Sequence, residues 1–403
     1  MKSLPQAWSA VSQRLSTLNS VCLPLQDALN HVVVSSVLAD RDIPAINRSA
    51  MDGYAFSRTK SVSAPLRLAI RGEIRAGDCP SFKLRTGECA RIFTGAVIPK
   101  GADTVVMQEN TKASGTTVVH VLEIPERGAN ILKQGENARA GTELIPAGTL
   151  LSPVHIAMCA AVGKAHLDVV RKPGIAVLTT GEELLDATDK AAPHQIRDSN
   201  GPMVLSQLRI AGFPVKAHRR VRDNERMIAS AARNLLKAAD VLVVTGGVSV
   251  GKYDFVPAAI QGLGATLHVH GIAMKPGKPQ LFATISSGKY IFGLPGNPLS
   301  VVVGLHEFVL PALRILSGFP EDRIRPSLQV SVPEQIRGRK DQHHFMPARL
   351  TWTCYGPQAK VLPSRGSADL AGACKANGFL VVPPSTNFKA GSTLEFRPWG
   401  ELP

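Results

Sequence analysis

Two short apolar stretches decide the fold of this chain: GIAVLTT at residues 174–180 and DVLVVT at residues 240–245. Each is a continuous aliphatic and β-branched run, which predicts a strand buried on both faces. Helical patterns lie between such strands, one after Asn200 and another around Met227. Strands that alternate with helices predict a doubly wound, mostly parallel sheet, and the pattern continues to about Phe319.

The sequence on either side of this unit has short β-like runs separated by Gly, Pro and Asn. Strands are predicted at residues 65–70, 87–93, 104–108 and 116–122, and a helix at 152–163. The fold class is therefore mixed α/β and multidomain, with a central doubly wound α/β domain. The predicted regions are a β-rich N-terminal region at 1–170, the α/β domain at 171–320 and a small C-terminal β domain at 327–403.

Composition indicates an ordinary globular protein, with 44% hydrophobic and 19% charged residues in a chain of 403. The longest apolar stretch, residues 301–316, is interrupted by His306 and Glu307 and is short for a membrane span. The N-terminus lacks the apolar core of a signal peptide. We therefore expect no membrane association and a cytoplasmic location. The six cysteines are scattered, which predicts neither a zinc site nor a disulfide framework.

The formal net charge of +15 comes from 46 Lys and Arg against 31 Asp and Glu. Such a field attracts anions, so nucleic acid and a small polyanionic substrate are both candidate partners. Aromatic residues are only 5% of the chain and no basic run is interleaved with them, which favours the small anion over nucleic acid. Charge that serves solubility alone is an equally good explanation.

Ligands of open α/β sheets bind beyond the carboxyl ends of the strands, and several polar or glycine-rich elements fall there. After residues 240–245 the backbone of Gly246, Gly247, Val248 and Ser249 is suited to cradle a phosphate. A glycine turn required only by geometry is about equally plausible. Glu183 follows residues 174–180 and is suited to Mg²⁺, although by itself a solvated turn is the simpler interpretation.

Three further elements have both a binding and a structural interpretation. Lys275, Gly277 and Lys278 form a stiff basic loop that suits phosphate, or a plain surface loop. Pro295, Gly296, Asn297 and Pro298 begin a helix whose N–H groups favour an anion, or a helix with no ligand. Asp198, Ser199 and Asn200 precede another helix, where capping is the simpler role. Asp52 and Thr94 would not be singled out by propensity alone.

The order of these elements is more specific than any one of them. The chain contains, in sequence, the following motifs: PAINRSAMDGYAF, RIFTGAVIPKGADTVVMQEN, VLTTGEEL, IRDSN, TGGVSVGKYD, MKPGKP, GLPGNPLS and RGSADLAGACKANGFLVVP. This series resembles the molybdopterin molybdenumtransferase family, which includes bacterial MoeA and the C-terminal part of gephyrin. The resemblance covers nearly the whole chain.

The resemblance implies a transferase of molybdenum cofactor biosynthesis. Its reaction would use adenylylated molybdopterin and molybdate as substrates, require Mg²⁺, and release AMP. It also implies an elongated homodimer, with an active cleft between the α/β domain of one subunit and the N-terminal part of the other. A molybdopterin adenylyltransferase and molybdoenzymes are further implied partners.

Site residues carry over by position. The implied catalytic set is Asp52, Thr94, Glu183, Asp223 and Asp254, with Glu183 and Asp254 as Mg²⁺ ligands. The implied substrate-binding set is Asp198, Ser199, Asn200, Gly246, Gly247, Val248, Ser249, Lys275, Gly277, Lys278, Pro295, Gly296, Asn297 and Pro298.

Three positions depart from the family pattern. Asn137 replaces an aspartate, Gly271 replaces a basic residue near His268 and His270, and Glu182 replaces an aspartate. These departures leave open a tungstate-preferring paralogue or a non-catalytic cofactor-binding scaffold. A stand-alone adenylyltransferase is a further alternative, which the large N-terminal region disfavours.

Overall fold

The computed structural model describes residues 1–59, 63–249, 251 and 254–400. Contacts divide the chain into two compact units. The main unit comprises Met1–Ser35, Gly148–Ser152 and His166–Pro403, and the N-terminal unit comprises Ser36–Ala147 and Pro153–Ala165. Val250, Lys252 and Tyr253, which belong to the TGGVSVGKYD motif, lie outside the described residues. The three predicted domain ranges stay a prediction.

The central sheet of the main unit has six strands. Their spatial order is Val215–Val221, Ile175–Thr180, Val241–Thr245, Lys289–Leu294, Leu281–Ile285 and Ala265–His270. Neighbouring strands are parallel through the first four, and Leu281–Ile285 is antiparallel to both of its neighbours. Ala265–His270 therefore runs in the same direction as the first four. The predicted doubly wound, mostly parallel sheet is confirmed.

Helices cover both faces of this sheet because successive strand residues point to opposite sides. Ile175 and Val177 join one apolar cluster, while Ala176 and Leu178 join the other. Full burial of such a side chain stabilises the fold by about 1.5–3 kcal/mol relative to exposure. The first cluster includes the helices Leu4–Ser12, Asn200–Ile210, Pro298–Gly304 and Leu310–Leu316, and the second includes Glu225–Ala238 and Val256–Gln261.

The helical run Pro298–Leu316 is longer than the apolar stretch that the sequence indicated. A π-helical turn, Leu305–Val309, joins its two α-helical parts. The run has 19 residues and a mean hydropathy of 1.7, so its length and composition would allow it to cross a membrane. The expectation that this stretch is too short was therefore wrong, because the helix begins at Pro298. In the structure 83% of an apolar stretch of 18 residues within this run is buried inside the protein, as in the core helix of a globular protein.

A small β-barrel forms the C-terminal part of the main unit. It closes because His343–Thr353 pairs with both Gly356–Val361 and Gly378–Val382. The remaining barrel strands are Leu328–Ser331 and Thr393–Pro398. Met274–Lys275 adds a short parallel pairing to His343 and His344, which attaches the barrel to the α/β domain.

Shorter elements complete the main unit. Three short strand pairs are Ser20–Pro24 with His166–Val170, Leu184–Leu185 with Ile196–Arg197, and Ile336–Arg337 with Asn387–Phe388. The short helices are Leu25–Asp27, Glu321–Ile324 and Leu370–Ala373.

The N-terminal unit is built on its own sheet. The strand order is Thr104–Met107, Gly53–Phe56, Glu88–Ile92, Leu66–Ile74, Val118–Val121 and Thr111–Ser114. Its helices are Gln108–Asn110 and Pro153–Ala161, and its short strand pairs are Arg48–Ser49 with Ile131–Leu132 and Val37–Leu38 with Glu143–Ile145. The predicted strands and the predicted helix of this region are confirmed, with ends that differ by a few residues.

Candidate functional site

One edge of the central sheet gathers most of the predicted site residues of the main unit. The strands that end at Thr180, Val221, Thr245 and Leu294 are parallel, so their carboxyl ends share this edge. His270 ends a strand that runs the same way, and the loop from Gly271 to Gln280 follows it. The strands along this single edge are therefore followed by loops that contain glutamate, aspartate, glycine and lysine, as the sequence predicted.

The glycine loop at the middle of this edge is fixed by close backbone contacts. Gly246 and Gly247 have φ values of 89° and 60°, which favour glycine. A Cβ at Gly246 would lie 2.3 Å from the carbonyl oxygen of Thr180, and one at Gly296 would lie 3.9 Å from the Gly246 Cα. The Gly246 N–H donates to the Leu294 carbonyl at 3.0 Å. The two glycine loops that follow strands Val241–Thr245 and Lys289–Leu294 are therefore neighbours.

Asp223 lies beside this glycine loop. A Cβ at Gly247 would lie 3.5 Å from Asp223 Oδ1, and that oxygen is buried without a hydrogen-bond partner. Burial, with a further contribution from the charge of Glu183, raises the pKa of the Asp223 carboxyl. Hydrogen bonding of the Asp223 carboxyl with the Thr180 hydroxyl and the Glu182 backbone only partly offsets this rise. A desolvated carboxylate of this kind is suited to accept a proton or to contact a cation.

Glu183 and Asp254 have different surroundings from Asp223. Glu183 is exposed. Asp254 Oδ2 accepts a hydrogen bond from the Gly251 N–H at 2.8 Å, which closes a local turn before the helix Val256–Gln261. Among the residues that the structure describes, no group of three or more His, Cys, Asp or Glu side chains is placed to hold a metal. The joint role of Glu183 and Asp254 as metal ligands stays a prediction.

The Asp198–Asn200 segment is tied to the edge by side-chain hydrogen bonds. Asn200 Nδ2 donates to the Gly296 carbonyl at 2.7 Å, and Asp198 Oδ1 accepts from the Gly201 N–H at 2.9 Å. The helix begins after Ser199, whose side chain makes no capping bond, so Asp198 satisfies the first turn instead. Sequence reasoning missed His218, whose Nε2 lies 3.9 Å from Asp198 Oδ2.

A pocket of about 310 Å³ lies at the basic end of the edge, between the Lys275 loop and the barrel. We call it the cation-lined pocket, and its charged or polar lining residues are Lys275, Arg339, His344, Ser364, Arg365 and Ser367. Of the described residues that line it, none is Asp or Glu. Burial, together with the charges of Arg339 and Lys275, lowers the pKa of His344 to about 4. His344 is therefore neutral at neutral pH.

Two hydrogen bonds connect the predicted Asn297 loop to the cation-lined pocket. Asn297 Nδ2 donates to Ser367 Oγ at 2.9 Å, and the Leu299 N–H donates to the Ser367 carbonyl at 3.0 Å. Asn297 is the N-cap residue of the helix predicted to begin here, but its side chain bonds to the barrel rather than to its own helix. The barrel cations Arg339 and Arg365 were missed as site residues, although Arg365 lies in the quoted RGSAD motif.

The rest of the basic loop divides by position. Lys275 and Lys278 are both exposed, and Lys275 lines the cation-lined pocket. The Lys278 carbonyl accepts from the Ile272 N–H at 2.8 Å. Gly277 has a φ of 102°, and a Cβ there would lie 2.9 Å from Gln280 Nε2. Glycine is therefore required for this turn, and Lys278 does not line the pocket.

Asp52 and Thr94 form a separate candidate pair in the N-terminal unit. Asp52 Oδ1 accepts from both the N–H and the hydroxyl of Thr94, each at 2.7 Å. These two bonds lower the pKa of the Asp52 carboxyl. No local sequence pattern pairs these residues, because 42 positions separate them. The geometry keeps Asp52 ionised and fixed.

Asn137 and Gly271 are two of the departures from the family pattern, and His268 and His270 lie near Gly271. The Asn137 side chain is exposed. His268 Nε2 lies 2.8 Å from Thr284 Oγ1, and His270 Nε2 lies 2.9 Å from the Val248 carbonyl. Burial lowers the pKa of His268, so this ring does not replace a permanent positive charge at neutral pH.

Comparisons with known proteins cover the whole architecture. Residues 2–163 match the "MoeA N-terminal region (domain I and II)", 176–315 a "Probable molybdopterin binding domain", and 329–399 the "MoeA C-terminal region (domain IV)". The chain is similar to the solved molybdopterin biosynthesis MoeA protein from Pyrococcus horikoshii, at 27% identity, a TM-score of 0.79 and 99% coverage of each chain. The fold and the matched regions therefore define a MoeA-type protein.

Relatives of known name identify the family. The chain is 33% identical to a molybdopterin molybdenumtransferase of Nostoc sp., over 90% of this chain and 84% of the relative. It is 31% identical to one of Staphylococcus aureus, over 97% and 94%. The chain belongs to the molybdopterin molybdenumtransferase family. The resemblance stated from the sequence and the predicted fold class are both confirmed.

Proposed function

We propose that this protein inserts molybdate into adenylylated molybdopterin, releasing AMP and forming molybdenum cofactor. The observation that carries the proposal is the cation-lined pocket, which has Lys275, Arg339 and Arg365 and no acidic lining residue among those described. An oxyanion such as molybdate suits these donors. The names of the relatives support the same reaction.

The two parts of the substrate pair suit different parts of the edge. We assign the substrate phosphates to the backbone of Gly246–Ser249, because adjacent N–H groups with positive φ values form an anion cradle. The pterin dithiolene supplies soft sulfur donors for molybdenum, so the protein needs no thiolate of its own. Asn200, bonded to Gly296, positions the loop beside the cradle.

Mg²⁺ is compatible with the acidic end of the edge. Asp223 offers a buried oxygen without a hydrogen-bond partner, and Glu183 lies close enough to influence its pKa. Mg²⁺ is commonly held by one or two carboxylates together with substrate phosphates and water, so a cluster of three protein ligands is not required. When bound, the ion would neutralise phosphate charge. We place Asp223 beside Glu183 as a candidate ligand, with Asp254 as the sequence-based alternative.

We further propose that the protein acts in the cytoplasm as a homodimer. The family resemblance supports both statements. An adenylylated substrate must be supplied by an adenylylating enzyme, a molybdopterin adenylyltransferase, and the product must pass to molybdoenzymes.

The proposal is tested by reconstitution. Purified protein is mixed with adenylylated molybdopterin, molybdate and Mg²⁺, and AMP and active cofactor are measured together. We expect both products in equal amounts. Substrate binding without AMP release would instead support a cofactor-binding scaffold. Preference for tungstate in the same assay would indicate a tungstate-specific paralogue, and ATP-dependent adenylylation of molybdopterin would indicate an adenylyltransferase.

A further inference from the structure

A second cavity, of about 440 Å³, lies in the main unit between the α/β domain and the C-terminal barrel. Four arginines line it: Arg314, Arg323, Arg325 and Arg397. None of its described lining residues is Asp or Glu. Phe319 and Trp399 contribute apolar walls. We call it the arginine cavity. Its size is within the usual range of small-molecule sites.

Two of the four arginines are balanced by carboxylates behind the cavity wall. Glu307 is 1% exposed, and its oxygens lie 2.8 Å from Arg397 Nε and 3.6 Å from Arg325 Nη2. Glu395 lies 3.0 Å from Arg397 Nη2. Burial raises the pKa of Glu307, while the charges of Arg397 and Arg325 oppose that rise. Glu307 and Glu395 are therefore the carboxylates that contact Arg325 and Arg397 in this wall.

Arg314 has no such balance. Its Nη1 donates to the Ile324 carbonyl at 3.0 Å, and within the described part of the chain no carboxylate forms an ion pair with it. Burial, together with the charge of Arg397, lowers the pKa of Arg314 to about 10. Among the described residues, Arg323 forms an ion pair with its exposed neighbour Asp322 alone, a contact of little energetic value. The cavity therefore carries positive charge that no described residue compensates.

The wall also contains unused hydrogen-bonding capacity. His306 and Trp399 both line the cavity, and His306 Nε2 and Trp399 Nε1 are buried without a partner. His306 lies in the π-helical turn Leu305–Val309, a local geometry frequent at functional sites. Burial lowers the pKa of His306 to about 3, so the ring is neutral at neutral pH and does not add to the cavity's charge.

We propose that the arginine cavity is a second anion-binding site, distinct from the cation-lined pocket. Its ligand is a small organic anion with a carboxylate or phosphate head group and an apolar body. Arg314 binds the head group, because a guanidinium forms paired hydrogen bonds to such oxyanions. The body packs against Phe319 and Trp399. This proposal does not depend on the proposed molybdenum chemistry.

The test is a binding titration of the full chain with phenyl phosphate and with benzoate. Of the three tryptophans, Trp8, Trp352 and Trp399, Trp399 lines the arginine cavity and none is among the described lining residues of the cation-lined pocket, so a change in intrinsic fluorescence that is lost in Trp399→Phe reports on the proposed site. We expect a saturable change with at least one probe, and none with uncharged benzyl alcohol. The tighter probe identifies the head group. No saturable change with either anion, or equal binding of benzyl alcohol, would overturn the proposal.

Matched variants assign the site. We expect Arg314→Gln to raise the Kd by roughly ten-fold or more. Arg339→Gln, in the cation-lined pocket, should leave this titration unchanged. The thermal midpoint of ligand-free Arg314→Gln should equal or exceed that of the wild type, because an unbalanced buried charge is removed. A lower midpoint with an unchanged Kd would show that Arg314 is only structural. If Arg314→Gln does not fold, Arg323→Gln replaces it in the test. This variant removes another arginine charge from the cavity lining, and the Arg323 side chain is 66% exposed.

Discussion

The two ends of the site edge differ in charge, burial and origin. At the acidic end, Asp223 and Glu183 follow neighbouring strands, and their mutual repulsion adds to burial in raising the pKa of Asp223. At the basic end, Lys275 and Arg339 come from the α/β domain and the barrel, and their charges add to burial in lowering the pKa of His344. The difference indicates a division of labour along one edge: cation binding or proton acceptance at one end, and oxyanion binding at the other.

Removal of the Asp223 carboxylate at the acidic end should have the largest effect on AMP release. We expect Asp223→Asn to lower AMP release roughly 100-fold, because the neutral amide cannot act as a base and carries no negative charge to offset that of a cation. The control variant is Asp189→Asn. Asp189 is exposed, and this variant should retain activity. Near wild-type turnover of Asp223→Asn would show that the acidic end has no role in AMP release.

The same substitution should stabilise the protein at neutral pH. The folded-state pKa of Asp223 is raised, so the stability that its protonated form contributes is full below the unfolded value, about 3.9, and is lost as pH rises through the folded value. Asp223→Asn avoids that loss. Because the group is partly exposed, we expect a rise in Tm of only about 1 °C near pH 8, which disappears below about pH 4. A lower Tm at pH 8 would contradict this assignment.

The titration of His344 tests the charge at the basic end of the edge. Lys275→Gln removes one of the charges that lower the His344 pKa, so this pKa should rise above about 4. We expect a change of roughly half a unit, measurable by NMR. Lys278→Gln is the matched control, because Lys278 is in the same loop but does not line the pocket. Equal shifts in the two variants would show that the pocket is not organised as described.

The smallest effect is expected in the N-terminal unit. Thr94→Val removes one of two hydrogen bonds to Asp52 Oδ1 and should raise the Asp52 pKa, while Thr94→Ser should not. Carbon NMR of the Asp52 carboxyl measures this shift. The backbone bond remains, so we expect activity to fall only about three-fold. A larger loss in Thr94→Ser than in Thr94→Val would contradict a role for the hydroxyl as donor.

Much of the fold was predictable because burial dictates composition. The strands Ile175–Thr180 and Val241–Thr245 are buried on both faces, and only continuous apolar runs satisfy that condition. Glu183, Gly246 and Pro295 follow strand ends, so the topology rule brought them to one edge. The apolar stretch 301–316 is three residues shorter than the helical run Pro298–Leu316, because Pro298 and Ser300 begin the helix without extending a continuous apolar pattern.

The missing parts of the site depend on tertiary contacts that have no local signal. Arg339 and Arg365 line the cation-lined pocket together with Lys275, whose strand Met274–Lys275 pairs with His343 and His344 of the barrel. Nothing in either segment specifies that register. The isolation of Asp223 Oδ1 is likewise a property of packing. Sequence reasoning could name Asp223 through the family resemblance, but it could not identify its environment.

The division of labour is tested most directly by a cross-titration of AMP release. Mg²⁺ and molybdate are varied separately for the wild type, Asp223→Asn and Lys275→Gln. We predict that Lys275→Gln raises the KM for molybdate roughly ten-fold with little change in the Mg²⁺ requirement. Asp223→Asn should raise the Mg²⁺ requirement and leave the KM for molybdate nearly unchanged. If both variants shift both titrations equally, the edge does not have separate cation and oxyanion ends.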